Sequence, residues 1–307
     1  MKLIPLLTAS LTTTLVACGL GMGDSSSSVN SSSTQLSATS SLSVSSNALS
    51  SNIGASSSSA QHSSVSTDDP DDKFRLVFRD DFEFFDPSRW QLMHHSWDTN
   101  IALFSDQTVK VEDGYMTLTL LPAPAGTTSE GLPKQFLGAE VRSIDTIRYG
   151  RISTRAKLAK GSAVVSAFVS IYTPWPADNW NEFDIESLGK NTREIQFNAM
   201  VYDGPANPSP NVSVAPTQFP ALKTLPFDTS ENFHTYTIEW TPTEAVFSID
   251  DRVYHRWNTK MELMGLPQNI LLTIWASNSP EWAGAVNETT ANAKAIYDWV
   301  EVWEYKD

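Results

Sequence analysis

The chain contains one cysteine, Cys18, among its 307 residues. A single cysteine cannot form a disulfide within the chain, so packing and hydrogen bonds must hold the fold together. Histidines are also few, and those outside the N-terminal region show no spacing typical of a metal site. They stand at positions His94, His95, His234 and His255. These scarcities argue against a disulfide-rich scaffold and against a histidine-bound metal centre.

Basic residues are outnumbered by acidic ones. Lys and Arg together number 21, Asp and Glu number 35, and the formal net charge is −14. A chain of this charge repels other polyanions. The composition therefore argues against nucleic acid as a partner.

The N-terminal apolar segment is short. It runs from Leu3 to Ala17 after the basic Lys2, and it is too short to span a bilayer. It ends in Leu-Val-Ala-Cys, which resembles a bacterial lipobox. The resemblance implies that residues 1–18 are a lipoprotein signal peptide and that Cys18 is lipidated, which places the mature protein outside the cytoplasm, anchored to membrane or cell surface by its lipid alone. The alternative is a plain secretory signal with an incidental cysteine.

Serine dominates residues 19–72, which contain almost no aromatic side chains and end in the acidic run 68–72. Such a segment cannot bury enough apolar surface to fold. We predict a disordered linker over 19–72 that tethers one domain at 73–307. No internal repeat interrupts this domain, which is long enough to bury a substantial core.

Short apolar or alternating stretches make up most of the domain. They predict strands at 115–120, 149–156, 164–172, 236–240, 245–249, 270–275 and 296–303. Turn signals such as Asp250-Asp251 separate them, and a single short helical turn is predicted at 259–264. Strands without long intervening helices indicate an all-β fold, an antiparallel β-sandwich.

One predicted strand carries three acidic residues at alternating positions, Glu182, Asp184 and Glu186. A strand places all three on one face and sends Phe183 and Ile185 to the other. Like charges this close repel each other, and acidic residues are depleted in strands, so folding alone does not favour the row. The alternative is the solvated face of an ordinary half-exposed strand. Paired carboxylates in a cleft are the usual means of cleaving a glycosidic bond.

The segment around these acids, WNEFDIESLG at 180–189, resembles the active-site strand of glycoside hydrolase family 16, W-[DN]-E-[IF]-D-I-E-x-L-G, and bacterial lichenases in particular. Further ordered matches lie at 78–82, 138–143, 149–151, 164–166, 196–198, 233–236 and 297–300. The resemblance implies a concanavalin-like jelly roll whose concave face forms a glycan-binding cleft.

The resemblance also implies roles for the acids in a retaining double displacement. Glu182 would be the nucleophile and Glu186 the general acid and base, while Asp184 would orient Glu182 and help to keep Glu186 protonated. The carboxyl groups of a retaining pair lie about 5 to 5.5 Å apart. Cα atoms at i and i+4 of a flat strand are roughly 13 Å apart, so concave bending of the strand is expected.

Several other positions match sugar contacts of the family. Trp180 lies on the face of the acids and is expected to provide an aromatic platform. The remaining expected contacts are Glu140, Arg142, Gln196, Asn198, Trp275, Trp97 and Asn100. For Glu140 and Arg142 the alternative is a cross-strand ion pair.

Some aromatic residues of the lichenases are replaced in this chain. Val169, Ile171 and Met200 stand where the lichenases carry rings, and Ser187 replaces an aromatic residue. Trp175 is expected to supply one ring in return, and a Pro-rich insertion at 205–226 lengthens one loop. The preference for mixed-linkage glucan is therefore left open.

The family often carries a structural calcium ion. Asp298 and Gly114 occupy the positions that the resemblance implies for its ligands, although Asp298 could equally cap a turn. The implied reaction itself requires no cofactor.

Three functions are compatible with these observations. The first is a monomeric endo-acting retaining β-glucanase that hydrolyses β-1,3-linked or mixed 1,3-1,4-linked glucan. The second is a hydrolase or transglycosylase of another polysaccharide, such as an exopolysaccharide, xyloglucan or galactan. The third is a non-catalytic glycan-binding module, which retention of all three acids argues against.

The lipobox generates a direct prediction. Labelled palmitate is expected to enter the protein at Cys18, and Cys18→Ser is expected to abolish labelling and to release or misprocess the protein. The measurement is autoradiography of membrane and medium fractions from cells that express each form. Unlabelled wild-type protein in the medium would contradict the lipobox and support a plain secretory signal.

Overall fold

The computed structural model describes residues 73–173, 179–205 and 214–306. Cys18 and the serine-rich segment lie outside these ranges. The strands are β1 (Phe74–Asp80), β2 (Trp90–Leu92), β3 (Ala102–Phe104), β4 (Val109–Glu112), β5 (Tyr115–Thr119), β6 (Leu121–Pro122), β7 (Thr128–Ser129), β8 (Leu132–Pro133), β9 (Phe136–Ser143), β10 (Gly150–Lys157), β11 (Val164–Ile171), β12 (Asn181–Leu188), β13 (Glu194–Val201), β14 (Thr217–Gln218), β15 (Ala221–Thr224), β16 (His234–Trp240), β17 (Ala245–Ile249), β18 (Arg252–Trp257), β19 (Asn269–Ala276) and β20 (Lys294–Tyr305).

Helical structure is sparse in the described ranges. It comprises one four-residue helix, α1 (Pro280–Ala283), and 3₁₀ turns at Asp106–Thr108 and Met261–Leu263. The second 3₁₀ turn lies within the helical turn predicted at 259–264. None of these helices is long and apolar enough to cross a membrane.

Each predicted strand has an observed counterpart whose ends differ by at most two residues. The stretch 164–172 is β11, and 270–275 lies within β19. The predicted all-β sandwich is confirmed. The sequence analysis missed α1, because a single turn is too short to produce an amphipathic period.

Most strands belong to two large sheets. The first, which we call the triad sheet, has the order β14-β13-β12-β11-β19-β9-β2, with β15, β3 and β6 attached at its margins. The second sheet has the order β18-β17-β16-β10-β20-β5-β4, with β1 paired to β20. All pairings among the longer strands are antiparallel, which suits sheets that pack on one face only.

The sheets pack through the apolar side chains that alternate with the acids. Phe183 of β12 is fully buried, and its ring lies 5.6 Å from Trp240, 6.0 Å from Phe247 and 5.9 Å from Trp257 of the second sheet. Burial of one such side chain stabilises the fold by about 1.5–3 kcal/mol. This packing fixes the face of β12 toward the core, so the acids must point the other way.

The register of the triad sheet sets the neighbours of the three acids. Across β11 and β13 the paired positions are Ile171–Glu182–Met200, Val169–Asp184–Asn198 and Ala167–Glu186–Gln196. Just after β12, a Cβ atom on Gly189 would lie 2.6 Å from the carbonyl oxygen of Gly161, so only glycine fits there. This close approach explains the glycine that ends the WNEFDIESLG segment.

Candidate active site

The three acids lie together on the face of β12 that points away from the core. Glu182, Asp184 and Glu186 are all buried, with 0%, 2% and 6% of their surface exposed. The strand predicted from their alternation is therefore observed. Its acidic face is buried, so it is not the solvated face of an ordinary half-exposed strand. Burial of three carboxyl groups demands hydrogen-bond donors or protons to stabilise them.

Trp180 supplies one such donor. Its indole Nε1–H donates to Glu182 Oε2 over 2.6 Å, and its ring is only 4% exposed. The sequence predicted a platform for a sugar ring at this position. That role stays a prediction, and the observed contact is a hydrogen bond to a carboxylate, which stabilises the charged form of Glu182.

Gln196 supplies a second donor, from the neighbouring strand β13. Its amide Nε2–H donates to Glu186 Oε2 over 2.9 Å, and its Oε1 accepts from the indole N–H of Trp282 over 3.1 Å. Trp282 lies on α1, and the sequence analysis did not single it out. Its partner Gln196 is 86 positions away, so no local pattern could have identified the contact.

Burial dominates the titration of the triad. It raises the pKa of Glu182 to about 8, against the opposing effects of the Trp180 N–H and of Asp184. Burial, and then the charge of Glu182, raise the pKa of Asp184, and burial followed by the charge of Asp184 raises the pKa of Glu186. The triad therefore does not carry three negative charges at neutral pH.

Asp184 and Glu182 also act on each other. Their interaction raises the pKa of Asp184 and lowers that of Glu182, although burial has the larger effect on both groups and raises both pKa values. Trp180 donates to the Glu182 carboxylate. Trp180 and Asp184 thus both favour the charged form of Glu182, against the larger effect of burial.

Glu140 and Arg142 form an ion pair within β9. Arg142 Nε and Nη2 donate to Glu140 Oε1 over 3.0 and 2.6 Å, and His95 Nε2 lies 3.3 Å from Glu140 Oε2. The alternative predicted from the sequence, an ion pair between two strands, was wrong in its location, because both partners belong to one strand. Burial alone would raise the pKa of Glu140, but His95 and Arg142 outweigh it and lower that pKa. Glu140 is therefore held as an anion.

Three tryptophans form a row on the same side of the sheet. The ring of Trp275 on β19 lies 5.0 Å from that of Trp97 and 5.7 Å from that of Trp282. The indole nitrogens of Trp97 and Trp275 are buried without a hydrogen-bond partner. A buried donor of this kind is expected to find an acceptor, and a sugar hydroxyl would suit it.

The segment that carries Trp97 is held by a buried lysine. Lys134 Nζ donates to the carbonyl oxygens of Trp97 and Asn100 over 2.7 and 2.6 Å. Burial lowers the pKa of Lys134, while Asp98 and Glu130 act in the opposite direction. Asn100 is fully buried, and its Oδ1 accepts from the N–H of Ala102, whereas its Nδ2 has no hydrogen-bond partner among the described residues, so the sugar contact predicted here stays a prediction.

Aliphatic side chains cover the strand between the triad and the tryptophan row. Val169 and Ile171 of β11 pair with Asp184 and Glu182, and Met200 pairs with Glu182 from the other side. Asn198 accepts the N–H of Phe219 through Oδ1 over 3.1 Å. Trp175, which was expected to restore a ring, lies outside the described residues.

The two residues expected to bind calcium lie near each other. Gly114 precedes β5, whose Met116 pairs with Tyr297 beside Asp298. The Asp298 carboxylate is ion-paired with Arg155. Calcium takes 6–8 oxygen ligands, and within the described ranges no three His, Cys, Asp or Glu side chains cluster. The calcium site therefore stays a prediction.

A family model described as "Glycosyl hydrolases family 16" matches residues 97–301. The match includes the triad, Gln196 and the tryptophan row. The chain belongs to glycosyl hydrolase family 16. This confirms the family predicted from the sequence, and the protein is a glycoside hydrolase rather than a non-catalytic binding module.

Named relatives agree with the family. The β-glucanase of Brevibacillus brevis is 29% identical over 231 residues, which are 73% of this chain and 80% of that protein. A β-1,3-1,4-glucanase (lichenase) structure derived from a mouse hindgut metagenome has a TM-score of 0.63 at 27% identity, covering 74% of this chain and 98% of that one. The Bacillus licheniformis β-glucanase structure has a TM-score of 0.60 at 27% identity, covering 75% and 97%.

The raised pKa of Glu182 predicts that removing its charge stabilises the fold. Between pH 4.5 and about 8, an unfolded chain ionises this carboxyl while the folded chain resists, so stability falls as pH rises. Glu182→Gln should raise Tm by about 4 °C or more at pH 8, with a smaller gain toward pH 4.5. Thermal melts over this range measure the effect. The exposed Glu288→Gln is the control, and a pH-independent gain for Glu182→Gln would contradict the explanation.

Proposed function

We propose that this protein is an endo-acting retaining β-glycosidase that hydrolyses β-1,3-linked or mixed 1,3-1,4-linked glucan. The observation that carries the proposal is the unequal environment of the two outer acids on one buried face. Glu182 accepts from the Trp180 indole, and Glu186 accepts from the Gln196 amide. The β-glucanases among the similar proteins support the glucan substrate.

Glu182 is the proposed nucleophile. A carboxylate must be ionised to attack the anomeric carbon, and both Trp180 and Asp184 favour that form. Attack forms a glycosyl–enzyme ester as the bond to the leaving oxygen breaks. The indole N–H also fixes Oε2, so the same contact orients the group that reacts.

Glu186 is the proposed general acid and base. Burial and the charge of Asp184 raise its pKa, which keeps a proton available for the leaving oxygen. After that transfer the Glu186 carboxylate removes a proton from water, the water oxygen attacks the anomeric carbon, and Glu182 is released. Asp184 takes no part in making or breaking bonds, and it acts on the pKa values of both neighbouring acids.

A second polysaccharide class is favoured by one observation. Val169, Ile171 and Met200 line the floor beside the triad where lichenases carry rings. Each lost ring removes stacking area worth about 0.5–1.5 kcal/mol. A substrate other than plain mixed-linkage glucan, such as an exopolysaccharide, xyloglucan or galactan, would depend less on those rings.

The proposed setting of the reaction follows from the N-terminal sequence. A lipid on Cys18 and a serine-rich tether at 19–72 would hold a catalytic domain at 73–307 near a membrane or cell surface. An extended polysaccharide is too large to enter a cell, so it must be cleaved outside. Both features therefore suit an enzyme for extracellular glycan.

The catalytic roles predict distinct effects for the two acids. Glu182→Gln and Glu186→Gln should each lower kcat by about two to four orders of magnitude or more, because each removes one obligatory step. Azide should restore activity to Glu182→Gly and give a product of inverted configuration. Reducing-sugar assays and NMR of the anomeric product measure these outcomes. Retention of a tenth of wild-type activity by Glu182→Gln would reject the nucleophile.

The proposed substrate class predicts which polysaccharides the protein hydrolyses. The purified protein should release oligosaccharides from barley glucan or laminarin faster than from xyloglucan or a galactan, because its proposed substrate carries β-1,3 or mixed linkages. Chromatography of the products from each pure polysaccharide makes the comparison, with Glu182→Gln as the blank. Turnover of a galactan or xyloglucan without turnover of either glucan would favour the second class.

A further inference from the structure

A hydrogen-bonded chain leads from the helix α1 to the acid Glu186. Trp282 Nε1 lies 3.1 Å from Gln196 Oε1, and Gln196 Nε2 lies 2.9 Å from Glu186 Oε2. Of these three residues, only Glu186 has a role in the reaction proposed above. Trp282 is half-buried and Gln196 is 6% exposed, so water competes little for the amide.

The direction of this chain is fixed by chemistry. An indole N–H can only donate, so the amide atom that faces Trp282 must be an oxygen. The amide nitrogen must then face Glu186 and donate to it. Without Trp282, either end of the amide could face the carboxyl group, since Gln can rotate by half a turn and exchange donor for acceptor.

That direction has a consequence for the acid. An oxygen that accepts an N–H bond acts as the carbonyl oxygen of a protonated carboxyl, so the acidic proton resides on the other oxygen. We propose that Trp282 and Gln196 are positioning residues for the reaction: Trp282 fixes the Gln196 amide, and the amide places the transferable proton on Oε1 of Glu186. This inference rests on the proposed role of Glu186 as the acid.

The helix that carries Trp282 is itself anchored to the triad sheet. The N–H of Ala163 donates to the carbonyl oxygen of Ala283 over 2.8 Å, and Lys190 Nζ donates to that of Glu281 over 2.8 Å. Ala163 immediately precedes β11, and Lys190 follows β12. The indole is therefore held in register with the strand that bears Glu186, as a positioning contact requires.

Loss of the indole N–H should change proton transfer rather than substrate binding. In Trp282→Phe the ring remains, but the amide is free to turn and present Oε1 to Glu186. An acceptor at that position favours the protonated acid, so the pKa of Glu186 should rise and the basic limb of the pH profile of kcat/KM should move to higher pH.

The experiment compares two substrates with the purified full-length protein. Cleavage of the polysaccharide that the protein hydrolyses fastest needs a proton from Glu186. In a 2,4-dinitrophenyl oligosaccharide the dinitrophenolate leaves without being protonated. Trp282→Phe should lower kcat on the polysaccharide about tenfold or more and leave bond cleavage in the aryl substrate within about twofold, since general acid catalysis contributes about 10²–10⁴-fold. Gln196→Leu should act similarly, and the double variant should match Gln196→Leu alone.

Trp299→Phe, an indole on the second sheet, is the matched control and should change neither rate; thermal melts verify that each variant folds. A higher KM with unchanged kcat and unchanged pH profile would make Trp282 a sugar contact and overturn the inference. Multiplicative effects in the double variant would also overturn it. Glu186→Gln separates the two levels when the burst of dinitrophenolate is measured, because the burst reports cleavage of the aryl bond and not the later attack of water. If Glu186→Gln slows that burst, the role of Glu186 as the acid is wrong. If Glu186→Gln spares the burst and Trp282→Phe slows both the burst and the polysaccharide reaction equally, only this inference fails.

Discussion

Burial of three like-charged groups on one strand face is the constraint on which the site depends. Water cannot stabilise Glu182, Asp184 and Glu186 where they lie, so the protein must provide donors or leave protons in place. It does both, because Trp180 and Gln196 donate to the outer acids while burial raises the pKa of all three. Since each neighbour acts on a different acid, a nearly symmetrical row becomes chemically unequal. That inequality is what a double displacement requires of its nucleophile and its acid.

The opposite face of the same strand offsets part of this cost. Phe183 packs among Trp240, Phe247 and Trp257, so β12 contributes a large apolar contact to the core while it exposes nothing to solvent. A slip of β12 by one residue would turn all three acids toward the space between the sheets and Phe183 away from it. The core therefore fixes the register, and the register fixes the chemistry.

Sequence patterns predicted the parts that depend on local periodicity. The strand 164–172 and the alternation around Asp184 were both found within a residue or two, because side chains in a strand alternate regardless of their partners. Contacts between distant segments were not found. Lys134 holds the Trp97 segment across 37 positions, and Trp282 reaches Gln196 across 86. Trp180 shows the intermediate case: its face was predicted, but its hydrogen bond to Glu182 depends on a rotamer that no pattern encodes.

The tryptophans of this site act through their nitrogen atoms as much as through their rings. Trp180 donates to Glu182 and Trp282 donates to Gln196, while the N–H groups of Trp97 and Trp275 are buried without partners. A phenylalanine could stack on a sugar in each place, but it could not donate. A tyrosine could also accept, so it would not fix the direction of an amide. The indole is the one aromatic side chain that only donates, and a site that must assign protons among buried carboxyl groups gains from that restriction. The N–H groups of Trp97 and Trp275 have no acceptor in the part of the protein that the structure describes, so they are available to donate to the oxygens of a bound glycan beside the triad.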